Sequence, residues 1–215
     1  MLLNRIAGSK GAALIKIYHA QGTRSVRPVW LCLELGLDFE VETIPFTPEF
    51  LASPKWRAIS PAGKLPLMAD GEVAIFESGA IVEHILDRYG DGRLRPPPAT
   101  PLSALYHQWC WFAEATLIRP VGIGRLLRYA GEGAGAAAAA DAVEKAREAL
   151  AVVDQALADE RPFLLGDDFT AADVMMGYSL ALLQSHRVLN ERNGPSLAYV
   201  ERLKAREPLA RALQL

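Results

Sequence analysis

The chain lacks the raw material for several common kinds of chemistry. Among 215 residues there are two cysteines and four histidines. Cys32 and Cys110 are far apart, each inside an apolar helical pattern, so they read as buried free thiols rather than a disulfide or a nucleophile and suggest a reducing, cytoplasmic compartment. His84, His107 and His186 fall in helical segments without partners at metal-ligand spacing, so no metal site is expected. There is no glycine-rich phosphate loop, nucleophile elbow or paired-carboxylate motif. Charge of one sign is also missing. With 23 basic against 25 acidic residues the net charge is −2, which gives no general attraction to nucleic acid or to an anionic membrane. No apolar run approaches the ~20 residues of a membrane span. Residues 1–13 carry Arg5 and Lys10 and no acids, and their apolar part is too short for a signal peptide, so they read as a flexible tail.

What is present is an ordinary globular composition, 51% hydrophobic and 22% charged, on a chain long enough for two small domains. Leu14 to His19 is rich in β-formers and reads as a strand. A polar loop, Ala20 to Ser25, leads into a helix from Val26 to Leu35 that stops at Gly36. Asp38 to Ile44 is a second strand, and Pro45 to Ala58, with its prolines, is read as irregular with one short helix. Leu65 to Ala69 and Val73 to Phe76 form a hairpin turning at Asp70-Gly71. Then Ser78, a good N-cap, opens a helix running to Gly90. This order gives an α/β unit with a mixed sheet over residues 14–92. Residues 93–101 are a proline-rich linker, and from Leu102 onward only helices are expected: Leu102–Ala130, Ala136–Asp159, Thr170–Leu189, Pro195–Arg206 and a short one after Pro208. Residues 102–215 are therefore read as an all-helical domain. Thr170 and Asp173 have the spacing of a capping box, with Phe169 and Val174 at staple spacing.

The stretch Ser60 to Ser78 carries the functional signal. Pro66 begins a strand where it gives no amide hydrogen to a ladder, and the Leu65-Pro66 bond is a candidate for the cis form. Such a bend leaves the amide and carbonyl of Leu65 facing outward, open to an extended peptide-like ligand. Glu77-Ser78 sits at a helix start, where free amides and the helix dipole favour a carboxylate.

The run Ser-Pro-Ala-Gly-Lys-Leu-Pro, the hairpin, Glu-Ser-Gly-Ala-Ile and the ending Asp87-Arg88-Tyr89-Gly90 resemble the glutathione-binding half of cytosolic glutathione S-transferases. Ser60 stands where that family commonly has Asn. The segment Gly166 to Val174 resembles the capping motif before the family's buried core helix. The resemblance covers about residues 14–206. It implies a thioredoxin-like N-terminal domain plus an all-α C-terminal domain, and glutathione as substrate with no metal. Lys64, Leu65 and Pro66 would meet the cysteinyl part of glutathione, with Leu65 pairing through its backbone, while Glu77 and Ser78 would hold the γ-glutamyl end. A homodimer and a small, hydrophobic electrophile as second substrate are implied as well.

A free thiol of this kind has a pKa of ~8.5, and lowering it by ~2 units requires ~2.7 kcal/mol of thiolate stabilisation. One charge-assisted hydrogen bond contributes ~1.5–3 kcal/mol, so a single hydroxyl suffices. Thr23 falls where the family's serine-type classes keep that hydroxyl, and Ser25 is close enough to take its place. Either could instead cap the helix. Tyr18 reads as core. Trp109-Cys110-Trp111-Phe112 reads as core or as the wall of a substrate cleft. Arg119, Arg125 and Arg128 could bind an acidic substrate or form a solvated face. The rival reading is a glutathione-binding or scaffold protein that catalyses nothing; a third uses glutathione for isomerisation or dehalogenation.

Overall fold

Strand β1 (Ile15–His19) is the axis of a four-stranded sheet. Ile15, Ile17, Tyr18 and His19 are all buried and only Lys16 is partly exposed, the pattern of a strand covered on both faces. The computed structural model describes residues 15–120, 122 and 134–215. The tail expected over residues 1–13, the break at Gly131-Glu132-Gly133, and Arg125 and Arg128 lie outside the described residues. The described residues form two compact units, one running up to Asp91 and including Glu207–Leu215, the other within Gly92–Arg206.

In the first unit, α1 (Val26–Leu35) follows β1 and ends at Gly36, whose φ of 67° is the left-handed conformation that a glycine adopts without a Cβ clash. β2 (Phe39–Thr43) pairs parallel with β1, and Lys16 bonds both Glu40 (2.9 Å) and Glu42 (3.2 Å) across that edge. The stretch Pro45–Ala58, expected to hold one short helix, holds two: α2 (Pro48–Ala52) and α3 (Pro54–Ile59). Thr47 and Ser53 cap them, accepting from Phe50 N and Trp56 N, both at 3.3 Å. Pro48 and Pro54 occupy first helical turns, where the amide each lacks would have had no partner, so these two prolines start helices. Trp56 is buried with Tyr18, Ile44 and Leu67, edge-on to the Tyr18 ring at 5.6 Å.

β3 (Leu67–Asp70) and β4 (Val73–Phe76) complete the sheet in the order β2-β1-β3-β4, with β3 antiparallel to both its neighbours. Asp70 pairs with Val73, so the two-residue turn is Gly71-Glu72, one residue later than expected, and Gly71 carries the positive φ of 61°. The Leu65-Pro66 peptide is cis. α4 (Ser78–Tyr89) is tied to the hairpin by the buried Asp70 carboxylate, which accepts from His84 Nε2 and Tyr89 OH, both at 2.8 Å. Burial and that carboxylate push the Tyr89 phenol up to about 12, so it remains a donor.

In the second unit, α5 (Pro101–Trp111) is capped by Thr100 and widens into a π-helical segment, Phe112–Ile118, where a uniform helix was expected. The Ser179 hydroxyl donates to Ala113 O at 3.1 Å within that segment. Trp109 and Cys110 are core, whereas Trp111 is 62% exposed, so the aromatic cluster divides between core and surface. α6 (Ala134–Ala156), α7 (Ala171–Ser185) and α8 (Gly194–Lys204) follow. α7 is buried without interruption from Ala171 to Leu180. α9 (Glu207–Gln214) packs on α1 with Leu209 and Ala212 buried, so it groups with the sheet unit although its place in the sequence put it in the helical domain of 102–215.

Asp173 anchors α7. Its carboxylate accepts four bonds: Leu164 N (2.9 Å), Tyr199 OH (2.6 Å), Thr170 N (2.8 Å) and Thr170 Oγ1 (3.1 Å). Burial raises its pKa against the pull of those donors. In Asp173→Asn, an amide NH2 would face donors in place of an acceptor. We expect that variant to lose about 2–4 kcal/mol of unfolding free energy in urea titrations; a loss below half a kcal/mol would remove this role.

Candidate active site

One row of paired residues positions the candidate site. Tyr18 faces Leu67 and Leu67 faces Phe76. The chain leaving β1, the chain entering β3 and the chain leaving β4 therefore emerge at the same end of the sheet. That places the loop Ala20–Ser25, the Leu65-Pro66 bend and Glu77-Ser78 together within one unit.

At the bend, Pro66 is buried, Leu65 half-buried and Lys64 exposed. The turn is held by Gly63 N to Ser60 O (2.8 Å) and Ser60 Oγ to Lys64 O (3.2 Å). Gly63 has a φ of 60° and lies against the Arg57 guanidinium. Among the described residues no hydrogen bond reaches the amide or carbonyl of Leu65, although its side chain packs on the Tyr18–Trp56 cluster.

At the start of α4 the expectation needs correcting. Ser78 was expected to be the N-cap; it is the first helical residue, and Glu77 holds the cap position with φ 74° and ψ 115°. A non-glycine residue at such angles costs about 1–3 kcal/mol, and such positions concentrate at ligand clamps and switch regions. No side chain caps the helix, so its first-turn amides have no intrahelical partner. Ser78 is buried, and its Oγ accepts from Nη1 of the fully buried Arg27 at 2.9 Å. With a lone pair of Ser78 taken by the guanidinium, its own proton is available to an incoming acceptor, and Arg27 places a full positive charge behind it.

In the loop before α1, neither hydroxyl caps the helix: Ser25 sits at the cap position, but its side chain makes no cap bond. Ser25 Oγ lies instead 2.9 Å from His19 Nδ1 and 2.6 Å from Thr23 Oγ1, and accepts from Ala20 N at 3.3 Å. Thr23 Oγ1 donates to Ala20 O at 2.7 Å. His19 and Ser25 are fully buried and Thr23 nearly so. Burial lowers the His19 pKa, keeping the ring neutral. Tyr18 is core, and burial raises its phenol pKa, which argues against a thiol-activating role. Burial pushes the Cys32 thiol up to about 12, which makes it inert; Cys110 is likewise free and buried. Among the described residues no group of three or more His, Cys, Asp or Glu side chains could hold a metal ion.

Comparison with known proteins gives this arrangement a family. The family model described as glutathione S-transferase, N-terminal domain, matches residues 13–87, and that for the C-terminal domain matches residues 136–206. Glutathione S-transferase 3 of Zea mays is 32% identical over 158 residues, 69% of this chain and 68% of the relative. The chain belongs to the glutathione S-transferase family. Glutathione S-transferase 3 of Schizosaccharomyces pombe is 31% identical over 105 residues, 49% of this chain, and the match spans less than half (43%) of that relative's length. The fold is that of the solved glutathione transferase URE2P8 from Phanerochaete chrysosporium, a structure containing oxidized glutathione. It has a TM-score of 0.84, covers 96% of both chains and is 18% identical.

This member of the glutathione S-transferase family carries two residues at the candidate site that sequence reading left without a role. Arg27 gave a signal, a full charge on the otherwise apolar helix face of Val26, Val29 and Trp30; His19, at a strand end, gave none.

Two outcomes are expected. Glu77→Gly relieves the backbone and should raise the unfolding free energy by about 1 kcal/mol in denaturant titration; a destabilised variant would refute the strain. His19, held below its ordinary 6.5 by burial, binds fewer protons folded than unfolded in acid, so it removes stability as pH falls through 6.5. Unfolding free energy measured from pH 7 to pH 5 should fall less steeply in His19→Asn than in the parent; equal slopes would refute it.

Proposed function

We propose that the protein is a glutathione transferase that binds glutathione at this end of the sheet and activates it as a thiolate for attack on a small hydrophobic electrophile. The observation that carries the reading is the convergence of three unlike groups: an open peptide edge at Leu65, an Arg27-backed Ser78 at an uncapped helix start, and paired hydroxyls at Thr23 and Ser25. A tripeptide with a carboxylate at its γ-glutamyl end and a thiol at its centre suits all three.

In this reading Leu65, turned outward by Pro66, pairs through its backbone with the cysteinyl residue. Lys64 adds an exposed cation beside it. Ser78, with Glu77 and the amides of the first turn of α4, receives the γ-glutamyl group: the Ser78 hydroxyl and the amides take the carboxylate, and the Glu77 carboxylate takes the amine. Thr23 or Ser25 donates to the sulfur. Catalysis then consists of proximity and a thiolate stabilised at neutral pH.

One observation favours a second reading, glutathione binding without catalysis: Thr23 already donates to Ala20 O and Ser25 is fully buried. Calorimetric titration with glutathione, combined with ultraviolet difference absorbance of the bound thiol against pH, separates the two. The catalytic reading expects binding that weakens about tenfold in Ser78→Ala. It also expects a thiolate signal below pH 7 that moves up by at least one pH unit in Thr23→Ala, with affinity kept within a few-fold. Binding with an unshifted thiol supports the second reading, and no binding at millimolar glutathione removes both.

A further inference from the structure

The hydrogen-bond contacts between the Ala20 carbonyl and the His19 ring fix where every proton lies. Four atoms stand in series: Ala20 O, Thr23 Oγ1, Ser25 Oγ and His19 Nδ1, separated by 2.7, 2.6 and 2.9 Å. Each of the three contacts needs one hydrogen, since two bare lone pairs at such distances repel. A carbonyl has none, so the first contact uses the hydrogen of Thr23. The second must then use that of Ser25, because giving it instead to Ala20 O at 3.4 Å or to His19 Nδ1 would leave the 2.6 Å contact without a proton. The third is left to the imidazole, which must be protonated at Nδ1. Ser25 Oγ is then complete, with its second lone pair taken by Ala20 N.

The other ring nitrogen agrees. His19 Nε2 is buried with no hydrogen-bond partner. A neutral ring protonated at Nδ1 leaves a bare lone pair there, whereas the opposite tautomer would leave an orphaned N–H, the rarer kind of buried defect. Burial keeps the ring neutral, so there is one proton to place and the row of contacts places it.

We propose that His19, through Ser25, acts as a positioning residue that keeps the hydroxyl proton of Thr23 off Ser25, making Thr23 the group that donates to the glutathione sulfur. The inference rests on the glutathione transferase reading above. With Nδ1–H given to Ser25, and Ser25 giving to Thr23, the Thr23 proton is kept off Ser25. It lies on Ala20 O until a stronger acceptor arrives, and a thiolate is one. The reverse tautomer would draw the Thr23 proton toward Ser25 and present a lone pair to the sulfur, repelling the anion it should stabilise. Ser25 and His19 touch no substrate in this scheme; they set the direction of one O–H bond.

Two measurements test it. In the ligand-free protein with 15N-labelled imidazoles, assigned by the signal lost in His19→Asn, NMR should show His19 protonated at Nδ1 and bare at Nε2 at pH 7; the opposite tautomer overturns the proposal. In the glutathione complex, His19→Leu should raise the pH midpoint of the bound thiol by about one unit, a tenfold loss of thiolate well below it, with affinity changed less than threefold. His19→Asn, whose amide N–H can stand where Nδ1–H stands, should restore the midpoint to within a few tenths. An unmoved midpoint in a folded His19→Leu, or His19→Asn as impaired as His19→Leu, overturns the proposal. Failure of the parent protein to bind glutathione would instead remove the reading it rests on and with it the donation to sulfur, while the ligand-free spectrum would still decide the direction of the internal bonds.

Discussion

The antiparallel row Tyr18, Leu67 and Phe76 is the constraint on which the sheet unit depends. Because side chains alternate across a strand, a slip of one residue in either pairing would take Leu67 out of its buried cluster with Tyr18, Ile44 and Trp56. The core therefore fixes the register, and the register fixes the site. It brings the end of β1, the start of β3 and the end of β4 to one edge, so three segments far apart in sequence become neighbours without any contact between them having to hold them there. The side-chain bonds that do cross, Arg27 to Ser78 and Asp70 to His84 and Tyr89, lock α4 against α1 and the hairpin.

Arg27 shows how stability and the proposed chemistry pull apart. Burying a guanidinium costs several kcal/mol after relaxation, and packing alone would favour an apolar residue on that face of α1, next to Val29 and Trp30. A cation held there acts on the start of α4 where little water screens it. The unusual backbone of Glu77 is a second local cost at the same place.

Much of this was legible in the sequence, because the deciding signals were local. Gly36 stops α1, the Asp70-Gly71 pair marks the hairpin to within one residue, and the Thr170 to Asp173 spacing announces the start of α7. The misreadings have equally local causes. Prolines in Pro45–Ala58 looked like breakers because their position within a helical turn could not be read before the turns were known. Ser78 looked like a cap because its residue type suits one, and nothing in a linear pattern shows that Arg27 binds its hydroxyl. α9 follows the helices of the second unit in the chain, and only its packing on α1 assigns it elsewhere. Thr23 and Ser25 stood out in the sequence as the hydroxyls of the loop before α1, and the fold sets their oxygens 2.6 Å apart. The role of His19 was invisible, since a histidine closing a buried strand has no periodicity to betray it.

The energetics of the loop explain why direction matters more than the count of donors. In the ligand-free protein the Thr23 hydroxyl is already satisfied by Ala20 O. Donation to a thiolate is an exchange, and its net value is the difference between a charge-assisted bond of about 1.5–3 kcal/mol and a neutral one of about 0.5–1.5 kcal/mol. That difference, about 1 kcal/mol, falls short of the ~2.7 kcal/mol that a two-unit shift in thiol pKa requires. The remainder must come from dipoles already aligned before the anion arrives, which need no reorganisation when it does. A row of O–H and N–H bonds pointing one way from His19 to Thr23 is such an alignment, and each bond in it polarises the next. Reversing the row would not merely remove a donor; it would set the same dipoles against the sulfur.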